Sequence, residues 1–188
     1  MKYPKSGAIP HSMATSKSKI SKKAKVSKKT IALYEELGIM SKVEIEARHE
    51  IEVEDYALRI QIEGRILGDI ARNHIIPTAI KYQNILIENV QGLKNIYGAG
   101  FKKLSAEQML LIEQISEHIA KINAGITEMI DARKKANMIP DAERRAFAYC
   151  DDVKPYFDQI REHADALEQL VSDELWPLTK YRELLFVK

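Results

Sequence analysis

The sequence predicts an all-α protein, and three observations carry that prediction. Apolar residues recur at three- and four-residue steps from Ile31 nearly to the end of the chain. No alternating apolar and polar run is long enough to argue for a strand. Glycine and proline stand at the joints between the periodic stretches, where helix stops and starts belong. The expected architecture is a bundle of three or four long, partly kinked antiparallel helices, with short accessory helices and a disordered basic N-terminal tail.

Residues 1–30 form that tail, with nine lysines and no acid, while the rest of the 188-residue chain holds 20 basic and 27 acidic residues. The net charge of +2 is therefore the sum of a basic leader and an acidic body. Lys17, Lys19, Lys22, Lys23, Lys25, Lys28 and Lys29 alternate with serine and small residues and have few apolar anchors. Such a segment cannot bury enough surface to offset its chain entropy, so it reads as disordered. Its lysines are candidate polyanion contacts, because a lysine arm neutralises phosphates without reading sequence. No aromatic is interleaved among them to stack on a base. The boundary falls at Thr30, giving a tail over 1–30 and a helical body over 31–188.

The body opens with a short helical segment, Thr30 to Leu37, stopped at Gly38. Ser41 and Glu44 then have capping-box spacing, in which a hydroxyl accepts from a first-turn amide and a carboxylate reaches back. Behind them Val53, Tyr56, Ile60, Leu67 and Ile70 fall on one stripe. Glu44/Arg48, Arg48/Glu52, Asp55/Arg59 and Arg65/Asp69 are spaced for ion pairs on an exposed face. Gly64 and Gly68 share another face and allow a neighbour to approach closely. Pro77 is expected to kink or interrupt this helix, since it lacks an amide donor and crowds the preceding turn. The pattern resumes through Ile80, Ile85, Leu86 and Leu93 and stops at Gly98 to Gly100.

A second capping box, Ser105 to Gln108, opens the most regular segment. Ile112, Ile115, Ile119, Ile122, Ile126 and Met129 make a seam for neighbouring helices. Asn137 to Pro140 marks a turn. A third stretch runs from Asp141 toward Val153, is disturbed at Pro155, and continues as Phe157, Ile160, Ala164, Leu167 and Val171.

Several functions are excluded by pattern. The longest run of the body without Asp, Glu, Lys or Arg is Asn73 to Ile80, far short of the roughly 18 apolar residues of a membrane span. The first thirty residues lack the apolar centre of a signal peptide. Cys150, the sole cysteine, rules out an intramolecular disulfide and suits a reducing, cytoplasmic compartment. Glu46 and His49 have the Glu-x-x-His spacing of di-iron bundles, but His74, His118 and His163 follow Ala71, Ile115 and Ile160 at that spacing, so no second copy exists. His74 reads instead as a helix-end or core histidine. Cys150, followed by Asp151 and Asp152, reads as a buried structural thiol, because negative neighbours disfavour the thiolate. Gly98 to Gly100 reads as a turn, lacking the remaining residues of a phosphate loop. Asp151, Asp152, Asp173 and Glu174 read as helix-end charges. No catalytic, cofactor-binding or metal residue is assigned.

Longer stretches carry more. EARHEIEVEDYALRIQIEGRILGDIARNHIIPTAIKYQN (Glu46 to Asn84), DARKKAN (Asp131 to Asn137), AYCDDVKPYFDQIR (Ala148 to Arg161) and DELWPLTKYRELLF (Asp173 to Phe186) resemble the C-terminal region of type III glutamine synthetases. The resemblance is collinear over about residues 35–188. It implies a large cytoplasmic ligase that joins glutamate and ammonia with ATP and a divalent metal, assembled into stacked rings, with a helical C-terminal extension. The β-grasp and catalytic domains of that family would lie upstream of the matched block. A basic segment of thirty residues unlike the family stands there instead, and no position matches an active-site motif. The chain alone is therefore expected to be inactive, with ATP and magnesium implied only for a full-length synthetase. It reads as a fragment, a truncated reading or a free-standing relative, with a structural or assembly role. Its partners would be further copies of itself or full-length synthetase subunits. Trp176, Tyr181 and Phe186 are candidate interface anchors. The alternatives are a small basic-tailed helical protein that binds nucleic acid, and a regulator that acts on glutamine synthetase in trans.

Overall fold

The computed structural model describes residues 28–180 and residue 183, and among them every regular element is helical. Helix α1 (Lys28–Glu36) is stopped as expected at Gly38, whose φ of 63° is a conformation that glycine adopts without steric cost. Helix α2 (Lys42–Ile70) opens with the predicted capping box. The Glu44 amide donates to Ser41 Oγ at 3.3 Å, and the Ser41 amide donates to Glu44 Oε2 at 2.8 Å. That backbone bond holds the Glu44 carboxyl below its ordinary pKa.

Pro77 does not interrupt the helix. A π-helical turn (Ala71–Ile75) connects α2 to α3 (Ile76–Tyr97), and Pro77 sits in the first turn of α3. The Ile76 amide donates five residues back, to the Ala71 carbonyl. The third stretch repeats the device: α6 (Ala142–Ala148) passes through a second π turn (Tyr149–Val153) into α7 (Pro155–Leu170). There the Lys154 amide donates to the Tyr149 carbonyl at 3.0 Å. A proline ring collides with the carbonyl four residues before it in a regular helix. Widening the turn just ahead of the ring moves the carbonyl column and absorbs both the clash and the missing donor.

Gly98, at φ 53°, ends α3, and a 3-10 turn (Gly98–Gly100) with the short α4 (Phe101–Leu104) reverses the chain. Helix α5 (Ala106–Asn137) starts where predicted, but without the second capping box. Ser105, at φ −107° and ψ 13°, lies outside the extended region usual for an N-cap. Its hydroxyl therefore points backward and donates to the Phe101 carbonyl at 2.9 Å. Asp141 caps α6, accepting from the Arg144 amide at 2.8 Å.

The result is an up-down-up arrangement of three rods: α2 with α3, then α5, then α6 with α7. Antiparallel pairing of the first two is fixed by Arg72 beside Thr127 and by Gln83 Nε2, which donates to the Ile112 carbonyl at 2.9 Å. The predicted seam is the centre of the core: Ile115, Ile122 and Ile126 are wholly buried, and Met129 nearly so. Ile60, Ala71, Ala79, Tyr149, Val153, Ile160 and Leu167 meet it from the other rods.

The glycine face of α2 is used as predicted. A Cβ on Gly64 would lie 3.2 Å from the Phe157 ring and 3.6 Å from Met129 Sδ, and one on Gly68 would lie 3.6 Å from Ile126. Gly125 plays the same part on α5, where a Cβ would lie 3.1 Å from Ile160 Cγ1. Of the four expected ion pairs on α2, Asp55 and Arg59 meet at 2.8 Å. Asp69 instead accepts from Asn73 Nδ2 at 2.5 Å.

Candidate functional site

The residues that sequence reading tested for chemistry are scattered by the fold. Glu46 is exposed and pairs with Lys42 at 3.7 Å, while His49 is half-buried on the same helix. Among the described residues, no three His, Cys, Asp or Glu side chains group closely enough to hold a metal ion. Cys150 is buried against the Tyr56 hydroxyl, and burial followed by that contact pushes the Tyr56 pKa upward.

Two placements correct the sequence reading. His74 is exposed on the outer side of the first π turn, neither in the core nor at a free helix end, because the turn continues directly into α3. Asp151 and Asp152 lie within the second π turn rather than at a helix end. They line an open groove of about 700 Å³ with Glu128, Asp131, Lys135, Tyr156 and Gln159. Asp173 forms an ion pair with Lys180, whose ammonium also donates to the Glu168 carbonyl at 3.0 Å.

Trp176, a candidate interface anchor, is buried at 9% exposure and closes the core beside Val171 and Leu167. Its ring is thus packed into the chain's own interior, with the indole N–H unpartnered among the described residues. Tyr181 and Phe186 lie outside the described residues, as do Lys17, Lys19, Lys22, Lys23 and Lys25. Lys28 and Lys29 begin α1, but their side chains are likewise outside the description.

A surface that the sequence reading passed over is the outer face of α2. Ile51, Leu58, Ile62 and Ile66 are 65%, 51%, 47% and 53% exposed. At about 100° per residue these positions cluster within roughly 80° of arc, directly opposite the core stripe of Val53, Tyr56, Ile60 and Leu67. Helix α2 is therefore apolar on two opposite faces, only one of which the described residues cover. The stripe is about 22 Å long at 1.5 Å per residue. Its signal in the sequence, a 7-4-4 spacing, was masked by the interleaved charges of Asp55, Arg59, Arg65 and Asp69. Further apolar side chains, Ile80, Ile85, Ile96, Tyr97 and Leu110, are exposed on α3 and α5.

One polar pair is built between rods. The Nδ1 atoms of His118 and His163 stand 3.3 Å apart, with ring centroids 5.3 Å apart. Two neutral rings share one proton across this gap as donor and acceptor, whereas two imidazolium rings would both donate and repel. Burial and then the His163 charge lower the His118 pKa.

Comparison with known proteins bears directly on this scaffold. The pattern of the glutamine synthetase C-terminal domain family matches residues 12–94. That match begins inside the Lys-rich segment, correcting the expectation that residues 1–30 are wholly unlike the family. A glutamine synthetase of Bacteroides fragilis (strain YCH46) is 46% identical over 138 residues, which cover 73% of this chain and 19% of that protein. The type-3 glutamine synthetase of Dictyostelium discoideum is 28% identical over 72% of this chain and 18% of its own length. A glutamine synthetase of Butyrivibrio fibrisolvens is 24% identical over 71% of this chain and 19% of its own length. The resemblance to glutamine synthetases is thus shown over most of the chain. The chain spans about a fifth of the length of the curated relatives it matches.

Proposed function

We propose, from this similarity, that the chain is a non-catalytic helical module of a type III glutamine synthetase, and that its role is assembly. The observation that carries the role is the uncovered stripe of Ile51, Leu58, Ile62 and Ile66 on α2. Burying the exposed half or so of each of these four side chains contributes on the order of 1 kcal/mol each, enough in sum to favour docking when the partner surface is complementary. The occupant we assign is a synthetase subunit, because the matched region is about a fifth of each relative and the other four-fifths is what such a module accompanies. The free, buried thiol of Cys150 suits the cytoplasm in which this reading places the module.

Two arms test the proposal. Incubated alone with glutamate, ammonia, ATP and magnesium, the full chain should form no glutamine, and steady turnover would overturn the non-catalytic part. Mixed with a full-length glutamine synthetase, it should co-elute, and Ile62→Glu/Ile66→Glu should abolish co-elution with the helical circular dichroism unchanged. A double variant that still co-elutes would remove the stripe from the account.

A further inference from the structure

Beside the glycine face of α2, the packing leaves a groove lined by apolar residues and three arginines. It is an open groove of about 270 Å³ between α2 and α5, with Gly64, Gly68, Ile126 and Met129 as an apolar floor and Arg65, Arg72 and Arg133 around it. Because the helices run antiparallel, Gly64 lies against Met129, which brings Arg65 of α2 and Arg133 of α5 to the same end. Arg72 stands at the other end, where Nη2 donates to the neutral Thr127 hydroxyl at 3.4 Å.

The carboxylate that sequence spacing offers to Arg65 is taken elsewhere, since Asp69 accepts from Asn73 at 2.5 Å. Among the described residues neither Arg65 nor Arg133 forms an ion pair. Nearby Arg145 shows the contrast, held by Glu54 at 3.3 Å. Arg133 and Arg65 also act together on one point, both opposing the upward push of burial on the Tyr149 hydroxyl. Asp69 is the one carboxylate among the lining residues, so the groove carries a net charge of about +2.

We propose that this groove binds a small, doubly charged oxyanion, a phosphate ester or a dicarboxylate, gripped by Arg65 and Arg133. Guanidinium groups meet such oxygens with paired, charge-assisted hydrogen bonds. A bridging dianion converts the repulsion between two like charges into attraction. The apolar floor accepts a short carbon body, and the volume lies at the small end of ligand sites. The inference stands independently of the assembly reading.

The test is thermal unfolding of the full chain in inorganic phosphate or succinate, against chloride at equal ionic strength. Saturating dianion should raise Tm by several degrees. Arg65→Gln/Arg133→Gln should abolish that rise while matching or exceeding the unaltered chain's Tm in chloride. A rise with phosphate alone assigns the phosphate-ester class, and a rise with succinate alone assigns the dicarboxylate class. In the unaltered chain, the amide resonances of Gly64, Gly68 and Arg133 should shift on titration, a readout that needs no variant. No rise above chloride with either anion, a rise that survives in the double variant, or amide shifts confined to other regions would overturn the proposal.

Discussion

Three glycines offer a graded test of how this bundle is packed. Replacing a helix-interior glycine by alanine gains about 1 kcal/mol of helix propensity wherever the new methyl fits. At Gly68 the added Cβ would lie 3.6 Å from Ile126 and 3.7 Å from Met129, ordinary contact distances. Gly68→Ala should therefore stabilise by up to about 1 kcal/mol, raising Tm by roughly 2–4 °C for a domain of this size. At Gly125 the Cβ would meet Ile160 Cγ1 at 3.1 Å, and Ile160 is 1% exposed. A β-branched side chain in a helix has one dominant χ1 setting, so this carbon cannot retreat. Overpacking costs about 1–3 kcal/mol, which outweighs the propensity gain and leaves Gly125→Ala destabilised by about 1 kcal/mol. Gly64 lies between them, because its 3.2 Å contact is with the edge of the half-exposed Phe157 ring, which can swing outward. Urea denaturation followed by circular dichroism should rank Gly68→Ala above Gly64→Ala above Gly125→Ala. If Gly125→Ala is as stable as Gly68→Ala, α5 and α7 are not in the tight contact described.

Two further outcomes follow from the same structure. His118 has a lowered folded-state pKa and faces His163, with Glu117, Lys121 and Glu162 also acting on it. Below the unfolded-state value of about 6.5 the unfolded chain binds a proton that the folded chain resists, so stability should fall as pH drops through that window. His118→Gln should flatten the decline, as read by denaturation midpoints at stepped pH. The two serines at helix starts should also part company. Ser41→Ala removes a formed capping box and should cost about 0.5–2 kcal/mol, seen as faster amide exchange at Glu44 and Ile45. Ser105→Ala should cost less, since the Phe101 carbonyl keeps the Ser105 amide at 2.9 Å.

The core was legible because a single periodicity described it. The isoleucine seam of α5, the stripe of α2 and the Gly64/Gly68 approach all follow from three- and four-residue spacing. What escaped had several causes. Proline rules describe a regular helix, and both Pro77 and Pro155 are accommodated by π turns that no residue pattern in the chain announced. A hydroxyl three residues before a glutamine satisfies a motif, yet Ser105 is committed to the turn behind it. The outer stripe of α2 was hidden for a third reason, in that charged neighbours made an apolar face read as a solvated one. The Arg65/Asp69 pair illustrates the limit of spacing, since Asn73 competes for the same carboxylate at the same distance in sequence.

The central claim is that the uncovered face of α2 docks this module onto a glutamine synthetase. Sedimentation velocity of the full chain mixed with a full-length synthetase tests it most directly, with Ile62→Glu/Ile66→Glu as the comparison. The account predicts that the unaltered chain sediments with the synthetase and that the equally helical variant sediments alone. It is contradicted if the unaltered chain stays apart from the synthetase, whether as a monomer or as an oligomer of itself, or if the variant sediments with the synthetase just as well.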